Sequence, residues 1–168
     1  MGILKRSTIG VLAVLALCAA ALGAWAASGS ASDVAALAQA DQDWGKAYNA
    51  GQVDALAGLY AEDAVLMPPD TAAVHGRTAI RAYFVSDTAA AKQAGLLFHI
   101  GPHPDGGAVG DWGWSSGTYS VTDKAGHTVD AGKYLSVSRK QGGKWLYVRD
   151  IWNSDAAPAA APAATTKK

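Results

Sequence analysis

Asp41 and Asp150 are the residues of this chain best placed for acid–base chemistry. Positions 34, 37, 41, 44 and 48 recur at the spacing of one helical face, which sets Asp41 between Leu37, Trp44 and Tyr48 on an otherwise apolar stripe. Facing a pocket, that carboxylate binds or deprotonates a ligand; at the edge of the stripe it reaches water. Asp150 lies in "WLYVRDIWNSD". Strand alternation puts Leu146, Val148, Asp150 and Trp152 on one face and Trp145, Tyr147, Arg149 and Ile151 on the other, so Arg149 does not neutralise Asp150 within a face. An aspartate beside aromatic rings has its pKa raised by desolvation unless a cation or donors offset it, which suits a general acid or base. The competing role is a structural carboxylate satisfied by Lys133, Tyr134 or the backbone. A two- or four-residue hairpin loop puts Lys133 on the face of Asp150, whereas a three-residue loop puts Tyr134 and Ser136 there.

Aromatic residues supply the candidate walls. Trp112, Trp114, Ser116 and Thr118 alternate along one strand face, which makes the tryptophans ligand-stacking walls or, equally, core or interface residues. Trp44 and Tyr48 are expected to serve as both core and wall, with Trp152 beside Asp150. Tyr60, Met67, Tyr83, His99 and Tyr134 are further lining candidates. Tyr48 or Tyr134 is the hydroxyl donor that a proton-transfer site would set beside its aspartate.

Other chemistries find no support. Of His75, His99, His103 and His127, only His99 falls within an expected strand, so no convergent metal-ligand set is expected. There is no Gly-x-Ser-x-Gly elbow and no phosphate-binding glycine motif, and no cofactor is expected.

Lys5 and Arg6 precede an uncharged run from Ser7 to Ala27, and Ala24-Trp25-Ala26 is a small-x-small cleavage signal. Residues 1–26 therefore read as a signal peptide cut near Ala26, giving an exported protein, periplasmic or secreted. The apolar part, Ile9 to Leu22, is shorter than the roughly 20 residues a spanning helix needs, which argues against a lasting anchor. Cleavage removes the single cysteine, Cys18, and hence any disulfide or thiolate. It also removes two of the 14 basic residues, which face 14 acidic ones, leaving a net charge of about −2 and no basic face for nucleic acid. Residues 156–168, rich in alanine and proline, read as a disordered tail.

Residues 32–155 are left as one domain. A helix is expected from Asp33 to Asn49 with Gly51 as its C-cap, a second from about Val53 to Ala61, and a third from about Arg77 with Gly95 past its end. "AVLMPPD" reads as a short strand stopped by prolines. The remainder, rich in β-branched and aromatic residues with turns at Asp105-Gly106, Ala125-Gly126 and Gly142-Gly143, reads as an antiparallel meander. Helices followed by a meander predict an α+β domain with helices on one face of a curved sheet.

The stretches "DWGKAYNAGQVDALAGLYAEDAVLMPPDTAAVHGRTAIRAYF", "GDWGWSSGTYS", "GKYLSVSRKQGGKW" and "RDIWNSD" resemble the SnoaL-like and ketosteroid-isomerase-like branch of the nuclear transport factor 2-like superfamily. The resemblance implies a conical α+β barrel: a strongly bent antiparallel sheet with three helices on its concave face, commonly paired as a homodimer. It also implies a pocket lined from the first helix, the third helix and the inner sheet face, with Asp150 and Trp152 on that face. Three functions follow as expectations: a binding domain for a small apolar or aromatic molecule, a cofactor-independent isomerase, dehydratase or cyclase with an aspartate base, or a module dimerising through the convex face, assigned here to Trp145 and Tyr147.

Overall fold

The structure, a computed structural model, describes residues 29–102 and 104–156. The expected signal segment, His103 and nearly all of the expected tail lie outside the described residues.

The first helix, α1 (Ala31–Ala50), is capped by the Ser30 hydroxyl, which accepts from the Asp33 N–H at 3.2 Å, and is closed by Gly51 in the left-handed region at φ 65°. Its inward stripe holds Leu37, Asp41 and Trp44, all buried. The second helix, α2 (Val53–Ala57), is shorter than its periodicity suggests. Tyr60 and Ala61 leave it for β1 (Tyr60–Met67), because the Leu59 carbonyl accepts from the Tyr147 N–H and Tyr60 pairs alongside Tyr147. Tertiary pairing overrides local helical preference there. Next come β2 (Val74–His75), α3 (Arg77–Ala94), β3 (Leu97–Ile100), β4 (Asp105–Val109), β5 (Trp112–Thr122), β6 (Thr128–Gln141) and β7 (Lys144–Ser154). Asp105-Gly106 opens β4 and makes no turn; the turn falls at Gly110-Asp111, with Gly110 at φ 58°.

The strands form one sheet in the order β2-β1-β7-β6-β5-β3, with β4 also paired to β5. It is mixed, since β1 runs parallel to β7 while all other pairs are antiparallel. The domain is an α+β cone: an open, strongly curved sheet with the helices on its concave side. The main core joins Trp44, Leu56, Tyr60, Leu66, Phe84 and Tyr147, and a smaller cluster joins Leu37, Ala108 and Trp145.

One irregularity decides which side chains face the cone. The β6–β7 ladder pairs Ser138 with Tyr147 but Val137 with Arg149, so Val148 is an extra residue. Trp145 and Tyr147 therefore face inward with Asp150 and Trp152, and both are buried. The simple alternation that assigned Trp145 and Tyr147 to the convex face fails at this bulge. That face instead presents Trp112, Trp114, Leu135 and Ile151, each between 39% and 52% exposed. No helix among the described residues is long and apolar enough to cross a membrane.

Candidate functional site

Four strands and one helix bring hydroxyls to two carboxylates. Asp41 of α1 is 2% exposed. Its Oδ1 accepts from Ser115 Oγ at 3.0 Å and from Tyr147 OH at 2.7 Å, and its Oδ2 from Tyr134 OH at 2.9 Å. Asp150 of β7, 6% exposed, accepts from Tyr60 OH at 2.6 Å on Oδ2 and from Ser136 Oγ at 2.8 Å on Oδ1. Tyr60 OH in turn accepts from Trp44 Nε1 at 2.7 Å. Period-two alternation aims Ser115, Tyr134 and Ser136 inward from β5 and β6, and the bulge adds Tyr147 to the same side.

These contacts settle the alternatives. Asp41 is buried under the sheet and not at the solvent edge of the stripe. The hairpin loop is the two-residue Gly142-Gly143, which by alternation puts Lys133 beside Asp150; the bulge restores the other register, with Ser136 opposite Asp150 and Tyr134 opposite Trp152. Lys133 faces Asn153 and pairs with Asp155 instead. Tyr134 serves Asp41, not Asp150.

Among the described residues, no lysine, arginine or histidine pairs with Asp41 or Asp150. Burial lifts the Asp150 carboxyl to about 6 against the pull of Tyr60 and Ser136, and the negative charge of Asp41 adds to the rise. Burial also raises Asp41, opposed by its three hydroxyl donors. Burial and the adjacent carboxylates push the Tyr60 and Tyr147 hydroxyls well up, so they remain protonated donors. The arrangement suits proton exchange with a bound molecule, and equally the hydrogen bonding of a polar head.

Asp41 and Asp150 both border a chamber of about 30 Å³ walled by Trp44, Phe98, Ile100 and Trp152, with space for one or two water-sized groups. Trp44, Phe98 and Trp152 also border a wider cleft of about 520 Å³, which adds Tyr48, Tyr83, Tyr119 and the carboxylates of Asp70, Asp87 and Asp130. Tyr48 stacks on Trp44 with ring centroids 5.0 Å apart and donates to Asp87 Oδ2 at 2.7 Å. It is therefore a cleft wall and not the hydroxyl donor beside either buried aspartate.

Four expected lining residues lie elsewhere. Trp112 and Trp114 point from β5 to the convex side, opposite to Gly113 and Ser115. Met67 pairs with the half-exposed Ile151 on the outer face of β1. His99 is exposed, its Nε2 2.9 Å from Thr122 Oγ1, while its neighbours Phe98 and Ile100 line the chamber. Alternation along "LFHI" carried enough signal to select Phe98 and Ile100. For Tyr147 there was none, since valine at the bulge carries no mark of irregular backbone. Among the described residues, no three His, Cys, Asp or Glu side chains converge as a metal site.

Comparison with known proteins follows the same lines. A nuclear transport factor 2-like protein with a cystatin-like fold from Novosphingobium aromaticivorans superposes with a TM-score of 0.67 at 20% identity, covering 91% of this chain and 96% of its own. A nuclear transport factor 2-like protein of unknown function from Pseudomonas putida gives 0.68 at 17% identity, covering 77% and 99%. A ketosteroid isomerase-like protein from Erwinia carotovora atroseptica gives 0.59 at 20% identity, covering 76% and 100%. At these identities the likeness speaks for the fold alone. No curated protein matches the sequence. Residues 42–148, well over half of the chain, match the SnoaL-like domain. That segment begins one residue after Asp41 and ends at the bulge that turns Tyr147 inward, and the chain belongs to the SnoaL-like domain family.

Proposed function

We propose that this protein is an exported domain that binds a small, largely apolar or aromatic molecule. The observation that carries the reading is that an aromatic-walled cleft and a chamber lined by two buried carboxylates share Trp44, Phe98 and Trp152 as walls. The body of the molecule lies against Trp44, Phe98 and Trp152, and its polar end meets Asp41 and Asp150. Native mass spectrometry of protein purified from its source tests this. A retained small molecule, lost on Trp152→Ala, is the expected result; retention unaffected by Trp152→Ala and Phe98→Ala sinks the assignment to this cleft.

Asp150 favours a second reading, cofactor-independent proton transfer in an isomerase, dehydratase or cyclase. A carboxyl titrating near 6 is an effective base at neutral pH, and Tyr60 holds it in place. Asp150→Asn separates the two readings: intact binding with turnover abolished supports catalysis, whereas turnover of any measured substrate surviving the change removes Asp150 as the base. Export and homodimerisation complete the proposal, with the convex patch of Trp112, Trp114, Leu135 and Ile151 as the pairing surface.

A further inference from the structure

We infer that the molecule taken by the cleft is an organic cation, a primary amine with an apolar or aromatic body. The inference rests on the binding reading above and adds the charge of the ligand. Every charged side chain bordering the two cavities is a carboxylate: Asp41 and Asp150 in the chamber, Asp70, Asp87 and Asp130 in the cleft. The chain as a whole has 14 basic and 14 acidic residues, so this one-sidedness belongs to the site and not to the composition.

Most acidic residues outside the site behave differently. Asp33 pairs with Lys140, Asp54 with Arg81, Glu62 with Arg77 and Asp63 with Arg139. Two of those around the cleft have hydroxyl partners only: Tyr48 donates to Asp87, while Tyr119 and Ser154 donate to Asp130 at 3.1 and 2.5 Å. Hydroxyls supply dipoles and leave the negative charges standing. In a partly desolvated cavity those charges attract a cation and repel an anion far more strongly than in bulk water. Aromatic rings act with the same sign, because their faces are negative and bind ammonium groups. A neutral molecule gains only from apolar burial.

Size narrows the class. Space for one or two water-sized groups admits an –NH₃⁺ head beside Asp41 and Asp150 but no trimethylammonium, and three N–H donors match the acceptor-only carboxylates there. The apolar body then occupies the aromatic cleft outside.

Isothermal titration of the purified domain with 2-phenylethylammonium, 2-phenylethanol and 3-phenylpropanoate tests the charge class. The ammonium compound is expected to bind at least about tenfold tighter than the alcohol, with no measurable binding of the carboxylate. Asp41→Asn and Asp150→Asn are each expected to remove most of that preference, with an unchanged near-UV circular dichroism spectrum reporting an intact fold. Alcohol or carboxylate binding as tightly as the ammonium overturns the cation assignment and leaves the cleft as a binding site. Absence of binding by all three, from protein that also carries no retained molecule, overturns both.

Discussion

Tyr60 concentrates the logic of the site in one hydroxyl, which accepts from Trp44 Nε1 and donates to Asp150 from a fully buried ring. Each buried polar atom of the chamber is satisfied in this way by a neutral group, so the carboxylates keep their charge problem. For Asp150 the consequence is a pH dependence of definite sign. Its carboxyl titrates near 6 in the folded protein against an ordinary 3.8, so the folded state holds the proton more tightly than the unfolded chain. The associated stability is fully present below about pH 4 and is lost as pH rises through 6, amounting to about 3 kcal/mol. Asp33, drawn down to about 2 chiefly by Lys140, acts oppositely: its contribution is present above about pH 4 and fades towards pH 2. Urea denaturation is therefore expected to show a more stable protein at pH 5 than at pH 8, and Asp150→Asn to remove most of that difference. A variant that keeps the full pH slope would assign it to other groups.

At the scale of elements, helical periodicity was the legible signal. The α1 stripe, its Gly51 cap and the span of α3 follow from spacing alone, whereas the stripe left open whether Asp41 faces the sheet or water. Strand faces were legible only where the ladder is regular. Arg149 points outward as alternation requires, yet Trp145 and Tyr147 point inward, because Val148 interrupts the count and no glycine or proline announces it. Trp112 and Trp114 illustrate a different limit. Alternation put them on one face, but only their neighbours Gly113 and Ser115, packed under α1, reveal which face it is. The close approach of strands also constrains Gly132 of β6. A Cβ there would overlap the Asn153 carbonyl oxygen and sit 2.7 Å from the Tyr119 ring. Gly132→Ala is expected to cost more than about 2 kcal/mol, read as a lowered thermal midpoint, because backbone offers no room to yield. An unchanged midpoint would mean that the β6–β7 ladder yields to the added methyl group.

For the molecule as a whole, the convex sheet face is apolar across three strands, from Trp112 and Trp114 through Leu135 to Ile151. If two copies pair there, sedimentation should give a dimer that Ile151→Lys converts to a monomer with ligand binding retained, since that side chain lies on the opposite side of the sheet from the chamber. A monomeric starting protein would refute the pairing. The wiring of the site carries a kinetic consequence as well. Asp41 meets partners 74, 93 and 106 residues downstream, Asp150 meets Tyr60 90 residues upstream, and β1 finds its parallel partner only in the last strand. Loop closure over such spans precedes any reward from the contacts, so slow folding is expected, with nucleation that is not confined to the helical half. Chains truncated after Gln141 should show no cooperative thermal transition, whereas a near-native melt would place the folding nucleus upstream of β7. During synthesis, then, the helices wait with their apolar faces uncovered, and the binding site comes into existence as the last strand docks.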